Sequence, residues 1–352
     1  MQYSHNASMH LIVDIRSSSS VDSIITRYAS NWVDLWKSIH SDDTISYIHF
    51  AHQNCPENGK SIIVKSPWHG IKKSLITQHK HEIFRCINFS SYAPYDSKIE
   101  TISHIFDHAN TLYPKVESSW FHNIFKKHFR GNVRNSGTII VPSLVVGQEA
   151  VDMLHIPENK IEIIPYITMN AGKGDRYILN QLSISGPYWL YDGSYGSEAN
   201  IYGLLHGYQS YQALGGKHLL ILMGEATSVE LHRTSDLIQK MSLTGSVRII
   251  GTPDTESRES LYTHASGWVY IGAYYASGPR IELARSHKIP LLISNITSLQ
   301  EYHHGAITIH PNHLGGLGES LKKLEQTYKG DKRKISNEDI MKAYAKIIAI
   351  KR

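Results

Sequence analysis

A short turn near residue 280 carries residue types that bind phosphate. Ser277-Gly278-Pro279 is followed directly by Arg280, and the proline predicts that a helix begins there. The amide groups of such a turn, at the positive end of a helix, can hold a phosphate group. Arg280 would add a cation, and the alternative for it is an ordinary surface arginine. The turn therefore predicts a site for an anionic group.

The elements that would position this turn are short apolar runs alternating with helical patterns. This alternation builds a parallel sheet with crossover helices, and each run ends at turn residues, as buried parallel strands do. The predicted strands are residues 188–191, 218–223, 247–251, 268–271 and 290–294. The predicted helices between them are residues 200–214, 255–264 and 279–287.

Three motifs in this stretch and just after it match a known family in order and wording. Tyr191-Asp192-Gly193-Ser194 resembles a family motif that reads Tyr-Val-Gly-Ser, and Lys288–Leu292 resembles Gly-Thr-Pro-Val-Val. Ser294-Asn295 and Ser298–Glu301 resemble Ser-Asn-x-x-Ser-Leu-x-Glu. The family is that of the retaining glycosyltransferases of family 4, and the stretch is similar to its carboxyl-terminal domain.

The amino-terminal half carries further pieces of the same resemblance, so that it covers most of the chain. Met9–Arg16 resembles the family's first strand with its Asp-x-Arg ending, and Arg27-Tyr28 resembles the end of a Gly-Ile-Gly-Arg-Tyr motif. Phe106 to Pro114 matches in spacing a segment that in the family runs from His-Asp to Phe-Pro. Thr138–Ser143 resembles an Ile-Ile-Thr-Val-Ser strand, and Ile156–Pro165 resembles the run into the interdomain linker.

The resemblance implies an α/β chain with the GT-B fold, in which two Rossmann-like domains face a central cleft. We expect an acceptor-side domain over residues 1–166 and a linker over 167–186, where Asn170–Asp175 is a polar, flexible run. The nucleotide-sugar domain is expected over 187–334. A helix within 335–352, capped by Ser336 or Asn337, is expected to pack back on the first domain.

The loop after the first strand of the second domain departs from the family. The resemblance implies a donor-binding loop containing Gly193, Ser194, Glu198 and Asn200, but the family has an adjacent Arg-Lys pair where this chain has Glu198 and Ala199. A carboxylate repels a diphosphate. The alternative for Glu198 is a solvated residue at the start of a helix, where glutamate is favoured regardless of a ligand.

The family's second signature is a pair of glutamates, the first touching the sugar and the second the ribose. Glu282 matches the second, and Tyr274 stands at the position of the first. The family's histidine is Phe106 here, although Asp107 remains and His108 is adjacent. We therefore take Asp107, His108 and Tyr274 as candidate catalytic residues and Glu282 as a candidate ribose ligand.

Three functions are consistent with these matches and departures. The first is retaining transfer of a hexosyl group from a nucleotide-diphosphate sugar to a glycan or lipid-linked acceptor, with no cofactor and no metal. The second is a catalytically degenerate homologue that serves as a partner subunit or carbohydrate-binding module. The third is an unrelated two-domain α/β enzyme that shares only the sheet pattern.

Composition limits which kinds of partner and which cellular compartment are expected for this chain. The 352 residues are long enough for two domains, and a formal net charge of +5 without a recognised motif does not indicate nucleic-acid binding. Cys55 and Cys86 are the only cysteines, which favours reduced thiols and a cytoplasmic protein.

The segment from Trp120 to Arg130 is a candidate for peripheral membrane contact. It places aromatic residues and isoleucine at helical spacing beside cations, as interfacial helices do, and contact would be at the inner face of the membrane. The alternative is a helix that packs its apolar side on its own sheet and leaves the cations solvated.

Overall fold

The computed structural model describes residues 9–16, 24–64, 84–90, 100–108, 112, 133–275, 278–326 and 336–349. These residues form two compact units. Unit 1 contains the described residues from 9 to 108, from 133 to 167 and from 336 to 349, and unit 2 contains Leu112 and the described residues from 168 to 326. Each unit is built around one parallel sheet.

Unit 1 holds a seven-stranded sheet in the order β3-β2-β1-β4-β5-β6-β7, and every described pairing in it is parallel. The strands are β1 (His10–Asp14), β2 (Thr44–Phe50), β3 (Lys60–Val64), β4 (Phe84–Asn88), β5 (Glu100–His104), β6 (Thr138–Val141) and β7 (Ile161–Ile163). The helices are α1 (Ile24–Ile39), α2 (Leu144–Leu154) and α9 (Asn337–Ala349).

Unit 2 holds a six-stranded parallel sheet in the order β10-β9-β8-β11-β12-β13. Its strands are β8 (Tyr188–Asp192), β9 (Leu219–Met223), β10 (Val247–Gly251), β11 (Gly267–Tyr270), β12 (Leu291–Ser294) and β13 (Ile307–Ile309). Its helices are α3 (Arg176–Gln181), α4 (Ile201–Ala213), α5 (Ser228–Lys240), α6 (Thr255–Thr263), α7 (Arg280–Ser286) and α8 (Leu314–Gln326).

Local sequence explains why these elements begin and end where they do. The central strands β8, β9, β11 and β12 are apolar and almost wholly buried, as expected for parallel strands covered on both faces. Asp254 caps α6 by accepting a hydrogen bond from Ser257 N at 2.7 Å, and Pro279 precedes α7. The predicted strands and helices of residues 188–294 are confirmed to within two residues at each end.

The core of unit 1 contains a group of packed rings that includes the last helix. Trp32 of α1 meets Tyr344 of α9 at 5.4 Å between ring centroids, and Tyr344 also stacks on His104 at 5.5 Å. Phe89 lies 4.3 Å from the other side of His104. Burial lowers the pKa of His104 to about 3, so the ring is neutral at ordinary pH.

The chain that leads into unit 2 is held against α6. Gly172 N donates to the Glu259 carboxylate at 2.5 Å, and Asp175 N donates to Ser260 Oγ at 2.9 Å. A side chain on Gly172 would collide with Glu259, since its Cβ would lie 2.4 Å from a carboxylate oxygen. Residues 172–175 are therefore fixed on unit 2 ahead of α3.

None of the helices in the described ranges combines the length and apolar character needed to cross a bilayer.

Candidate functional site

The carboxyl end of β8 is the centre of a buried charge network. Asp192, fully buried, accepts hydrogen bonds from Arg280 Nε at 2.8 Å and from the Tyr262 hydroxyl at 2.8 Å. Arg258 Nε lies 4.0 Å from the same carboxylate. Because a buried charge is costly unless it is paired, these partners explain how Asp192 can end a strand inside the unit.

Arg280 is buried and carries two carboxylate neighbours. Its Nε pairs with Asp192, and its Nη2 lies 3.8 Å from Glu225 Oε1. Burial lowers the pKa of the guanidinium, but the two carboxylates raise it by more, so the pKa stays above its ordinary value. The alternative of an ordinary surface arginine is wrong, since only 7% of Arg280 is exposed.

Sequence reasoning missed Arg258, Tyr262 and the charge pairing of Asp192. A signal for them was present. Arg258 and Tyr262 are four residues apart, so they share the face of α6 that also carries buried Leu261, and Asp192 ends an otherwise apolar strand. A cation on the buried side of a helix beside an acid that ends a buried strand indicates a buried ion pair.

Backbone contacts join the ends of three neighbouring strands. Gly193 N donates to Met223 O at 3.1 Å, and Gly224 N donates to Gly251 O at 2.8 Å. Gly224 has a φ of 126°, and a Cβ there would lie 2.0 Å from Gly193 O. Only glycine fits this close approach, which fixes where the β8 loop begins.

Glu198 lies in the turn after β8, and its side chain bonds to a residue of the same turn. Its Oε1 accepts a hydrogen bond from Ser194 Oγ at 2.6 Å, and its backbone oxygen accepts one from Ala273 N at 2.8 Å. Only 4% of Glu198 is exposed, so the alternative of a solvated residue is wrong. The loop brings Ser194 and Glu198 next to the segment that contains Tyr274.

Asn200 holds the entry to α4 through its side chain. It adopts the left-handed conformation with φ 53°, and its Oδ1 accepts from Gly203 N at 3.2 Å as the helix cap. Its Nδ2 donates to Ile271 O at 3.2 Å and to Pro311 O at 3.0 Å. Both the oxygen and the nitrogen of the Asn200 side-chain amide are therefore used in hydrogen bonds within unit 2.

The turn before α7 is ordered by Tyr275. Its hydroxyl donates to Gly278 O at 2.7 Å and accepts from Ile281 N at 3.1 Å. Tyr274 is buried, and its backbone oxygen accepts from the Tyr270 hydroxyl at 2.6 Å. Ser277, predicted to bind the donor, lies outside the described residues.

Glu282 is in the first turn of α7 and is 1% exposed. One of its carboxylate oxygens lies 3.6 Å from Arg285 Nη1, one turn further along the helix. Glu282 therefore shares the start of α7 with Arg280, and each has an ionic contact within unit 2.

The other two candidate catalytic residues belong to unit 1. Asp107 and His108 follow β5, Asp107 half-buried and His108 buried. His108 Nε2 is 3.1 Å from Val146 O. Burial lowers the pKa of His108, although the bond to Val146 opposes this, so the neutral ring is favoured.

A separate cavity of about 600 Å³ opens between β13 and α8. None of the predicted site residues lines it. Its lining includes Thr308, His310, Asn312, His313, Glu319 and Lys323. Among the described residues, no three histidine, cysteine, aspartate or glutamate side chains form a group that could hold a metal ion.

Comparisons with known proteins extend this description. No protein-family profile matches the chain. It is 24% identical over 233 residues to the O-antigen chain mannosyltransferase B of Escherichia coli, an alignment that covers 66% of this chain. The chain spans only 56% of the length of that relative.

Solved structures match over far more of the chain. A glycosyltransferase from Rickettsia africae matches with a TM-score of 0.62 and 14% identity, over 91% of this chain and 89% of the other. Anabaena HepE in complex with UDP and glucose matches with a TM-score of 0.66 and 12% identity, over 97% and 100%. These likenesses, with the two parallel-sheet units, confirm the predicted GT-B fold class.

Proposed function

We propose that this protein is a GT-B glycosyltransferase that transfers a hexosyl group, with retention and without a metal, from a nucleotide-diphosphate sugar to a glycan or lipid-linked acceptor. The observation that supports this most is the likeness of fold over nearly the whole chain to a glycosyltransferase structure and to one that holds UDP and glucose. The weaker sequence likeness to a mannosyltransferase points the same way.

In this proposal the donor binds at the carboxyl edge of the unit 2 sheet. Gly193, Ser194, Glu198 and Asn200 supply the loop after β8, and Glu282 accepts hydrogen bonds from the ribose hydroxyls. The amides of Ser277 and Gly278, together with Arg280, face the diphosphate. Tyr274 lies on the sugar side, beside the loop that Glu198 holds.

The reaction breaks the bond between the anomeric carbon and the donor phosphate oxygen. Negative charge grows on the departing phosphate, and amide groups and a guanidinium stabilise it. The acceptor hydroxyl attacks from the face that the phosphate leaves, and that phosphate takes the hydroxyl proton. The new glycosidic bond keeps the original configuration, and no covalent enzyme intermediate forms. Asp107 and His108 are assigned to the acceptor side.

A degenerate homologue is the second candidate, and a specific observation favours it. Arg280, the cation that directly follows the turn before α7, already faces Asp192 and Glu225. Glu198 adds a further carboxylate in the neighbouring loop. In this role the chain binds a carbohydrate or supports a partner protein without turnover.

The proposed location is the cytoplasm, with peripheral contact at the inner face of the membrane. The segment expected to make this contact, Trp120 to Arg130, lies outside the described residues. A lipid-linked acceptor would be reached from that position. Sedimentation with anionic vesicles tests the contact directly.

The deciding experiment is a thermal-shift titration with UDP, GDP, ADP, CMP and their common sugar conjugates. Binding to the folded state at 100 times the Kd adds about 2.7 kcal/mol of stability, which raises Tm measurably. We expect one nucleotide to raise Tm with dose and Glu282→Ala to remove that response. Glu256→Ala, an exposed glutamate in the first turn of α6, is the matched control.

Turnover separates the two candidates. If a nucleotide raises Tm, release of that nucleotide from its sugar conjugate in the presence of glycan acceptors supports the transferase. Binding without release, or no response to any nucleotide, supports the degenerate homologue. An unchanged affinity in Glu282→Ala would remove Glu282 from the ribose site.

A further inference from the structure

Glu198 is an almost fully buried carboxylate without an ionic partner among the described residues. Its carboxylate has one hydrogen bond there, from the Ser194 hydroxyl at 2.6 Å. Neutral hydroxyl contact is a weak compensation for a buried charge. A carboxylate in this state is suited to accept further hydrogen bonds from a ligand.

The guanidinium groups at this edge of the sheet face other acids. Arg258 and Arg280 face Asp192, and Arg285 faces Glu282. None of the three lies within 4 Å of Glu198 in the described part of the chain. Among the described residues, these three arginines therefore supply no ionic partner for Glu198.

The backbone of Glu198 is held by the segment that follows β11. Ala273 N donates to its backbone oxygen at 2.8 Å, and a Cβ on Gly272 would lie 2.6 Å from that oxygen. The backbone of the turn therefore packs on residues 272–273, which follow β11 and precede Tyr274. This contact places the backbone of Glu198 beside the loop that contains Tyr274.

The same turn contains a second polar group with unmet hydrogen-bonding capacity. Tyr195 is 6% exposed, and its hydroxyl has no hydrogen-bond partner in the described ranges. Tyr195 offers a hydroxyl donor three residues before the Glu198 carboxylate, and a sugar hydroxyl can bond to either kind of group. A phosphate suits neither position, because Glu198 repels it.

We propose that Glu198 binds hydroxyl groups of the hexose and thereby determines which sugar the site accepts. The proposal rests on the proposed function, since it assigns the sugar portion of the donor to the turn after β8. A charge-assisted hydrogen bond from a sugar hydroxyl to this carboxylate is short and strong. The diphosphate is then held away from this turn, on the α7 side.

The test compares bare nucleotides with their sugar conjugates by titration calorimetry. The probes are UDP with UDP-glucose and GDP with GDP-mannose, on wild type, Glu198→Gln and the exposed charge control Glu256→Gln. We expect Glu198→Gln to weaken the preferred conjugate by at least tenfold and to change the bare nucleotide by less than threefold. The control should change neither.

Two results would overturn the assignment. An equal gain in affinity for nucleotide and conjugate would mean that Glu198 only repels the phosphates. Unchanged affinities with a lowered Tm would mean that Glu198 only holds the loop. Should Glu198→Gln fail to fold, Glu198→Asp keeps the charge and withdraws it by one methylene, and the same selective loss is expected.

A wild-type protein that binds none of the nucleotides and sugar conjugates of the thermal-shift titration would defeat the proposed function but leave this inference testable. Free mannose, glucose and galactose are then titrated and followed by amide chemical shifts. Shifts that are present in wild type and absent in Glu198→Gln would support a sugar site without a nucleotide. No shift with any hexose would overturn the inference as well.

Discussion

The first strands of the two units both end at a buried aspartate, but the two acids are neutralised differently. Asp14 at the end of β1 pairs with Arg16, two residues on, through Nε at 3.0 Å and Nη2 at 2.7 Å. Asp192 at the end of β8 takes its partners from 70 and 88 residues away, Tyr262 and Arg280.

The difference is the distance along the chain that the bonds cross. The bonds between Asp14 and Arg16 join two residues at one strand end. The bonds of Asp192 join β8 to α6 and α7. Loss of Asp192 therefore removes contacts between three elements, whereas loss of Asp14 removes a contact within one strand end.

The largest expected effect is the loss of the Asp192 charge. Asp192→Asn removes the buried carboxylate that Arg258 and Arg280 face, although Glu225 stays 3.8 Å from Arg280, and we expect unit 2 to lose about 3–5 kcal/mol. Asp14→Asn replaces the carboxylate beside one guanidinium by an amide that still accepts hydrogen bonds, so a smaller loss of about 2 kcal/mol is expected in unit 1. Hydrogen exchange read by mass spectrometry reports each unit separately.

The outcome that contradicts this comparison is equal loss from the two variants. It would mean that the distance along the chain between partners carries no extra stabilisation. The double substitution Asp192→Asn with Arg280→Met is the control, because it removes the stranded charge and should recover part of the loss.

The next largest effect is a loss of stability at acidic pH, which we expect in unit 1. The pKa of His104 is about 3 in the folded chain, below the ordinary value near 6.5, because of burial. The unfolded chain therefore takes up this proton first. Stability from His104 is complete above pH 6.5 and falls, by roughly 1.4 kcal/mol per pH unit, as pH drops toward 3.

At pH 5 we expect unit 1 to have lost about 2 kcal/mol through this group. His104→Phe should reduce the pH dependence and leave the part that comes from His108, whose pKa burial also lowers, while keeping a ring between Phe89 and Tyr344. His232→Gln, whose side chain is 80% exposed, serves as the control. Exchange in unit 1 that is insensitive to pH between 7 and 5 would contradict the buried neutral histidine.

The smallest expected effect comes from Asn200, whose side chain bonds the β8 loop to residues far along the chain. Asn200→Gly keeps the left-handed conformation but removes the side-chain bonds to Gly203, Ile271 and Pro311. We expect a loss of about 1 kcal/mol in unit 2. Nucleotide affinity that falls more than tenfold at unchanged Tm would assign Asn200 to the ligand instead.

Much of the fold could be predicted from the sequence, because parallel strands and helix caps leave local signals. The apolar run at residues 247–251 and the Asp254 cap of α6 place their elements without any distant information. The order of motifs then indicated the GT-B class. Such signals depend on neighbours within a few residues.

The electrostatics of the site could not be predicted in the same way. The turn that buries Glu198 is held by Ala273, 75 residues further along the chain, through the Glu198 backbone oxygen. Whether Arg280 is exposed depends on Asp192. The predicted role of Glu282 rests on the family resemblance alone and stays a prediction, as do those of Tyr274, Asp107 and His108.

The packing of α9 on other rings of unit 1 determines when this unit can complete its core during translation. Tyr344 completes a layer with Trp32 and His104, yet it is translated after every strand of unit 2. A ribosome releases the sheet of unit 1 first, but that sheet lacks α9 until all of unit 2 has been translated. Unit 2 can therefore fold before unit 1, although most of unit 1 is made earlier.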